Sequence, residues 1–433
     1  MYKLFKLLSL MIIITIFSGC VKENTYKHPI KDLEDIKQKP TLYTKKIQQI
    51  SHKSKKEFIK EYKKYYFYPW HINRFSVSYK NATWGNMYAK MDVYSENLTP
   101  ISQKWFTSII DESNFKKFNT LRKKAITINS SHIRVFPTVS KIFYDPKKAG
   151  EGFPFDYNEN SSIKINTPLF VSHLSKNKLW AYIESSVAIG WIKVSDIAYV
   201  NKKFRKTFEN NNYYISIKDD TNIYKNGYLL KSVSLGTLFP KAKKGFIIAS
   251  KDYKNNAFIR VIDRNRNLKK LGLDFNLENI TKISNELIGE RYGWGGLLEN
   301  RDCSLMTKDF YAPFGIFLNR NSGMQKNNGH SIDISKMDDI QKKEFILNNA
   351  VPFQTLIYLP GHIMIYVGVK ENEPLVFHNV WGVKTIDKNG KEGRSVIGKA
   401  VVTTLSFGKE LENYSQEYSL LSRIEAITMI TSI

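Results

Sequence analysis

The sequence predicts an α+β chain of several domains: a mainly helical first unit, two small β-barrels, and a mixed C-terminal unit that carries the chemistry. Three observations point there. The 433 residues exceed one ordinary domain. The 42% hydrophobic content supplies several cores and argues against wholesale disorder. The apolar spacing shifts along the chain from helical, to short alternating runs, to a mixture of both.

The first twenty residues read as an address. Lys3 and Lys6 give a positive start, and an apolar run over 7–17 follows. That run is short for a membrane span and suits a secretory segment. Ser18 and Gly19 precede Cys20, which resembles the bacterial lipoprotein cleavage box. The resemblance implies cleavage before Cys20 and lipid on it, so residues 1–20 form a signal peptide. The expected setting is the cell envelope, anchored to a membrane and facing the periplasm (the outer membrane in a Gram-negative cell). Residues 21–51 are polar and Lys-rich, with Pro29 and Pro40, and read as a tether.

Residues 52–124 keep mostly helical spacing, as at Phe58, Ile59 and Tyr62 or Trp105, Ile109 and Ile110. They predict a helical N-terminal cap whose aromatics around Pro69 form core. Residues 125–200 change texture. Runs such as Ile133-Arg-Val135, Trp180-Ala-Tyr-Ile183 and Trp191-Ile-Lys-Val194 alternate with turn residues, as in a small barrel. Their order resembles bacterial SH3-like domains. Residues 201–272 repeat the texture without repeating the sequence. Residues 276–433 mix helices and strands.

The formal net charge of +26 favours polyanionic partners, the bacterial wall among them. The lysines are spread along the chain with no dense basic arm, so no nucleic-acid partner is expected. The two cysteines, Cys20 and Cys303, stand in unrelated contexts, and a disulfide framework is not expected.

Cys303 follows a glycine-rich turn, Tyr292-Gly-Trp-Gly-Gly296, and the triplet Arg301-Asp-Cys303. Leu305, Met306 and Phe310 then recur at helical spacing until Pro313 and Gly315. Asp302 is placed to cap that helix, which puts Cys303 in its first turn. There the helix dipole favours a thiolate. Downstream, 355–359 reads as a strand, Pro360-Gly361 as a turn, and 362–368 as a second strand. His362, Met364 and Tyr366 share one face of it. A further strand returns through His378. A four-residue turn at 370–373 sets His378 opposite Ile365, on the wrong face; a turn one residue shorter sets it opposite Met364, on the face of His362. The second register is expected. The span 330–345, with Asp-Asp and Lys-Lys pairs, reads as an inserted loop, either a lid or a surface excursion, and His330 as a surface residue.

A cysteine, a histidine opening a strand, and a polar residue on the next strand follow the order of the papain-like hydrolases. The segments Tyr292-Gly-Trp-Gly-Gly296, Asp302-Cys-Ser304, Arg320-Asn-Ser322, Gln325, Leu359-Pro-Gly-His362 and His378-Asn-Val-Trp-Gly382 make the likeness specific. Residues 276–408 resemble the catalytic domain of the NlpC-type cell-wall cysteine peptidases. The resemblance implies a papain-like fold and hydrolysis of murein stem peptides, at the bond from γ-D-glutamate to a diamino acid. It assigns Cys303 as nucleophile, His362 as base and His378 as the orienting residue. Asp302, Ser304, Arg320 and Ser322 match positions that meet substrate. The multidomain branch uses its first SH3-like module to help select a free N-terminal L-alanine, which implies an anionic contact from Asp156 and an aromatic one from Trp191. Leu305 departs from the glycine usual there. No cofactor and no metal is expected, since no compact ligand spacing such as His-x-x-x-His occurs. Two other readings stand beside this one: a non-catalytic wall-binding lipoprotein, and the same fold acting on a different amide.

Overall fold

The computed structural model describes residues 30–431 other than Lys45. The expected signal peptide, residues 1–20 with Cys20, lies outside the described residues. Helix α1 (His52–His71) opens the cap, with Ser51 accepting the Ser54 N–H as its cap. Its buried face carries Tyr62, Tyr66, Phe67 and Trp70, the expected aromatic core. Helix α2 (Gln103–Glu112) completes the cap and buries Phe106.

The first β unit comprises β1 (Lys123–Thr127), β2 (Ser131–Arg134), β3 (Glu159–Ile163), β4 (Pro168–Leu174), β5 (Trp180–Ser185), β6 (Ile189–Lys193) and β7 (Ile197–Tyr199). They pair in the order β3-β2-β6-β5-β4-β1-β7. Strand β3 has no counterpart in the sequence reading. Its Glu-Asn-Ser-Ser-Ile carries no apolar alternation, because its side chains serve a domain interface. Helix α3 (Lys202–Phe208) leads into a second β unit: β8 (Tyr213–Ser216), β9 (Thr221–Lys225), β10 (Tyr228–Val233), β11 (Leu238–Pro240), β12 (Phe246–Lys251), β13 (Ala257–Ile262) and β14 (Leu268–Lys270). These pair as three small sheets around a core that includes Ile223, Phe239 and Ile248.

The C-terminal unit has helices α4 (Leu277–Leu287), α5 (Cys303–Tyr311) and α6 (Asp339–Asn349) and a six-stranded sheet. Its strands are β15 (His330–Asp333), β16 (Thr355–Leu359), β17 (His362–Lys370), β18 (Glu373–Ile386), β19 (Glu392–Thr404) and β20 (Ala426–Met429), in the order β15-β20-β16-β17-β18-β19. Ile363, Ile365 and Val367 face the core shared with α4 and α5. Met364 and Tyr366 face a second core shared with α6. Buried ion pairs tie this unit to both β units: Arg301 donates to Asp219 at 2.7 and 2.8 Å, and Lys164 to Asp309 at 2.8 Å.

Two expectations need correction. Residues 30–50 are not a free tether. Ile30, Ile36 and Ile47 are buried against the C-terminal unit, and the Gln48 carbonyl accepts from the side chain of Gln354, the residue before β16. The anchoring apolar residues are spaced too widely among lysines to show as a pattern. The segment 330–345 is neither lid nor loop. It supplies strand β15, paired to β20, and most of α6, which Asp338 and Gln341 start with a reciprocal capping box. His330 is exposed, as expected.

The hairpin joining β17 to β18 turns through Glu371 and Asn372, both with positive φ, and pairs Lys370 with Glu373. That pairing alone runs toward the wrong-face register. A β-bulge at Val367 then shifts it by one residue, so that Ile365 faces Phe377 and, continuing the ladder, Met364 faces His378. The expected face for His378 is reached, but through a bulge and not through a shorter turn.

Candidate active site

Asp302 starts α5. Its Oδ1 accepts the Leu305 N–H at 2.8 Å, and its Oδ2 accepts the Gly295 N–H at 3.0 Å. The cap therefore fastens the glycine-rich turn to the helix that carries Cys303. Gly295 and Gly296 have φ of +64° and +92°. A Cβ on Gly295 would stand 2.7 Å from the Glu159 side chain and 2.9 Å from its carbonyl oxygen; one on Gly296 would collide with Ser162. The turn needs glycine because β3 of the first barrel lies against it.

Cys303 is buried in the first turn of α5. Its sulfur lies 4.0 Å from the Gly361 carbonyl oxygen, and the nearby Ile363 N–H favours its ionised form. It thus touches the main chain on both sides of His362, which opens β17 at the end of the sheet. His362 Nε2 lies 2.8 Å from His378 Nδ1. His378 Nε2 lies 3.0 Å from Thr403 Oγ1. The nitrogen of His362 not engaged with His378 is Nδ1.

Burial, with the Asp302 charge beside it, pushes the Cys303 thiol up to about 12. Burial, helped by Arg423, brings His362 down to about 4. The resting pair is therefore a neutral thiol and a neutral imidazole. Desolvation and a neighbouring carboxylate work against the thiolate expected from the sequence.

Arg320 answers that carboxylate. It donates to Asp302 at 3.0 and 2.7 Å, to Ser304 Oγ at 2.9 Å and to Ser161 Oγ of β3 at 2.7 Å. Burial alone would raise the Asp302 pKa, but the Arg320 charge and hydrogen bonds hold it below its usual value. Gln325 is fully buried and joins α5 to the Arg320 loop. Its Nε2 donates to the Ser304 and Asn319 carbonyls, each at 2.8 Å.

A cleft of about 570 Å³ opens over these groups. Asp302, Cys303, Ser304, Arg320 and Ser322 line its floor, so the structure brings these five predicted residues together. His362 and His378 are not among the residues that line it; they pair with each other, and His362 follows the Gly361 carbonyl that the Cys303 sulfur meets. Asp156 and Trp191 do not reach the cleft. Asp156 is fully buried: its Oδ1 accepts the Ile142 and Asn158 N–H groups, and its Oδ2 pairs with Arg134 at 3.0 Å. It fixes its own turn. Trp191 is core, packed among Phe115, His173 and Tyr182.

The cleft wall contains residues that the sequence reading missed. The cap gives Tyr68, Ser76 and Trp84, and the first barrel gives Tyr157, Glu159 and Glu184. Glu184 accepts from Tyr68 Oη and from the Ser76 N–H, both at 2.8 Å. No motif surrounds Glu184; only the meeting of cap and barrel gives it a place in the site. Thr403 was missed too, since Val-Val-Thr-Thr reads simply as strand. Among the described residues no group of His, Cys, Asp and Glu is arranged to hold a metal ion. No helix among them is long and apolar enough to cross a membrane.

A helix-borne cysteine at a walled cleft, its sulfur against the turn that leads into His362, and His362 paired with His378 on the next strand, make a candidate thiol site. Comparison with known proteins gives the class a family. Residues 289–391 match the NlpC/P60 family, residues 141–193 the SH3 domain of SH3b1 type, and residues 9–118 the N-terminal NLPC_P60 stabilising domain. The chain carries an NlpC/P60 domain behind an SH3b domain and an N-terminal stabilising domain. An NlpC/P60 endopeptidase from Photobacterium damselae subsp. piscicida shares the fold over 92% of this chain and 98% of its own, with a TM-score of 0.84 and 24% identity. An NlpC/P60 family protein from Bacillus cereus aligns over 70% of this chain and 98% of its own (TM-score 0.44, 13% identity). The peptidoglycan hydrolase RipB from Mycobacterium tuberculosis aligns over 35% and 63% (TM-score 0.21, 17% identity). No curated protein matches the chain significantly.

Proposed function

We propose that the chain is a peptidoglycan hydrolase, a cysteine endopeptidase that cuts murein stem peptides at the γ-D-glutamyl to diamino acid bond. The observation that carries this reading is the line from Cys303, on the floor of a walled cleft, through the Gly361–Ile363 main chain to the His362–His378 pair. Cys303 attacks the scissile carbonyl as His362 Nδ1 takes the thiol proton. His378 holds the imidazole throughout. The Cys303 N–H, in a helical turn with no carbonyl before it to serve, donates to the oxyanion. His362 then returns the proton to the leaving amine, and water releases the acyl group by the same path in reverse. Because both resting groups are neutral, the proton moves when substrate arrives.

Ser304, Arg320 and Ser322 meet the peptide on the cleft floor. Cap and barrel close the far side, which favours a peptide end over the middle of a strand. Glu184, and not Asp156, supplies the anionic group of that wall for a free amino terminus. The mature chain begins at a lipid-bearing Cys20, which mass spectrometry of the membrane-extracted protein would read directly.

The test is mass spectrometry of murein tripeptides and muropeptides incubated with the chain from residue 21, beside Cys303→Ala. Cleavage of the γ-D-glutamyl bond by the wild type alone is expected. Equal cleavage by both proteins, or a different bond cut, overturns the assignment.

A further inference from the structure

We infer that Thr403, pinned by the N-terminal strap at residues 30–43, sets which nitrogen of each histidine carries its proton. The inference rests on the thiol-peptidase reading of the site and extends it.

The Thr403 hydroxyl has one proton, and it donates that proton to the Thr404 carbonyl at 2.8 Å. Its oxygen can then only accept from His378 Nε2, 3.0 Å away. A neutral imidazole protonated at Nε2 carries its lone pair on Nδ1. His378 Nδ1 therefore accepts, and His362 Nε2 donates across the 2.8 Å contact. His362 is left with its lone pair on Nδ1, the form able to take a thiol proton. Rotating the one hydroxyl reverses everything. His378 would donate from Nδ1, and His362 would carry its proton on Nδ1 with nothing to accept the proton of Cys303. A buried hydroxyl thus decides whether the base is a base.

The strap holds that hydroxyl in place. Strand β19 is the sheet's edge, and Thr403 faces inward toward β18. The backbone groups of its two neighbours face outward, where no further strand among the described residues pairs with them. Gln38 occupies that place for Val402: its Oε1 accepts the Val402 N–H at 2.8 Å, and its Nε2 donates to the Val402 carbonyl at 3.0 Å. Asp32 does so for Thr404, where Oδ2 accepts the N–H at 2.7 Å and the hydroxyl at 2.8 Å. The strap also rests on β17, where the Tyr43 carbonyl lies against Gly368, beside the bulge. The strap therefore braces both the strand that carries His362 and the strand that steers His378. Thr403 is a positioning residue, and the strap acts through it.

The test uses the chain from residue 21, labelled with ¹⁵N-histidine, with Thr403→Val, Thr403→Ser and Gln38→Ala variants. Imidazole ¹⁵N shifts read the tautomers without substrate, and steady-state kinetics on a murein tripeptide read kcat and KM. In the wild type both histidines should be protonated on Nε2. Thr403→Val should mix the tautomers and lower kcat by about tenfold to a hundredfold, the range for groups that orient an imidazole, with KM little changed. Thr403→Ser should restore both readouts. Gln38→Ala, which leaves the core intact, should shift both in the same direction by less, so the test survives if Thr403→Val does not fold. Wild-type His362 protonated on Nδ1, or tautomers and kcat unmoved in Thr403→Val or Gln38→Ala, overturns the inference. Failure of the peptidase reading shows separately, as cleavage that persists in Cys303→Ala while the tautomers still read as expected.

Discussion

Replacing Arg320 with methionine tests how the site manages its buried charge. The guanidinium is nearly enclosed and makes four hydrogen bonds, two to Asp302, one to Ser304 and one to Ser161. Methionine keeps much of the volume but leaves Asp302 without its counter-charge. Removing one partner of a buried pair costs about 3–5 kcal/mol. Asp302 retains the Gly295 N–H, the Leu305 N–H and the Ser304 hydroxyl, which places the loss near the lower end. The severed bond to Ser161 across the barrel interface adds about 1 kcal/mol. The expected total is about 4 kcal/mol at pH 7, read from equilibrium urea unfolding followed by tryptophan fluorescence. Asp302→Asn in the same background should recover a large part of it. The pH dependence has a definite sign. Arg320 holds the Asp302 pKa below its ordinary 3.8, so the stabilisation is present above that value and lost as pH falls through the lower folded value. The gap between wild type and variant should close in strong acid. A loss under about 1 kcal/mol at pH 7 would refute the reasoning, because it would make the pair as weak as a surface ion pair.

The resting protonation states predict an unusual pH profile. His362 must be neutral to accept a proton, and its folded value is about 4, so kcat/KM should hold down to roughly that pH; an acid fall centred near 6.5 would contradict it. The Cys303 thiol, raised to about 12 by burial and Asp302, should react slowly with iodoacetamide at pH 7 and faster without a plateau up to pH ~10, whereas Asp302→Asn should speed the reaction. Gly296→Ala forces a side chain into Ser162 at φ +92° and should lower stability by about 1–3 kcal/mol, with kcat/KM falling as the barrel moves off the glycine turn. Unchanged urea midpoints would show that the turn can shift freely.

The sequence revealed what is local. The capped helix at Asp302, the strand opening at His362 and the glycine turn are each set by residues within a few positions, so the elements that carry the candidate residues were legible. What depended on distant packing was not. Strand β3 is polar because it faces the glycine turn, so it lacked the alternation that marks a strand. The three buried isoleucines of residues 30–50, Ile30, Ile36 and Ile47, are too far apart to form a pattern. Asp156 and Trp191 sit in the right module, but Arg134 and an aromatic cluster claim them. Glu184 and Tyr68 enter the cleft from different domains, and nothing short of their packing joins them.

The bulge at Val367 makes the hairpin behave like a reading frame. The Glu371–Asn372 turn starts the count one residue out, and the extra residue in β17 corrects it before His378 is read. Turn length and bulge are therefore a linked pair: either alone, changed by one residue, moves His378 to the opposite side of the sheet, while compensating changes in both leave it in place. A lengthened or shortened turn in this chain keeps His378 in place only if the strand before it keeps the sum. An exposed loop, distant from the cleft, is bound to the chemistry by arithmetic and not by contact.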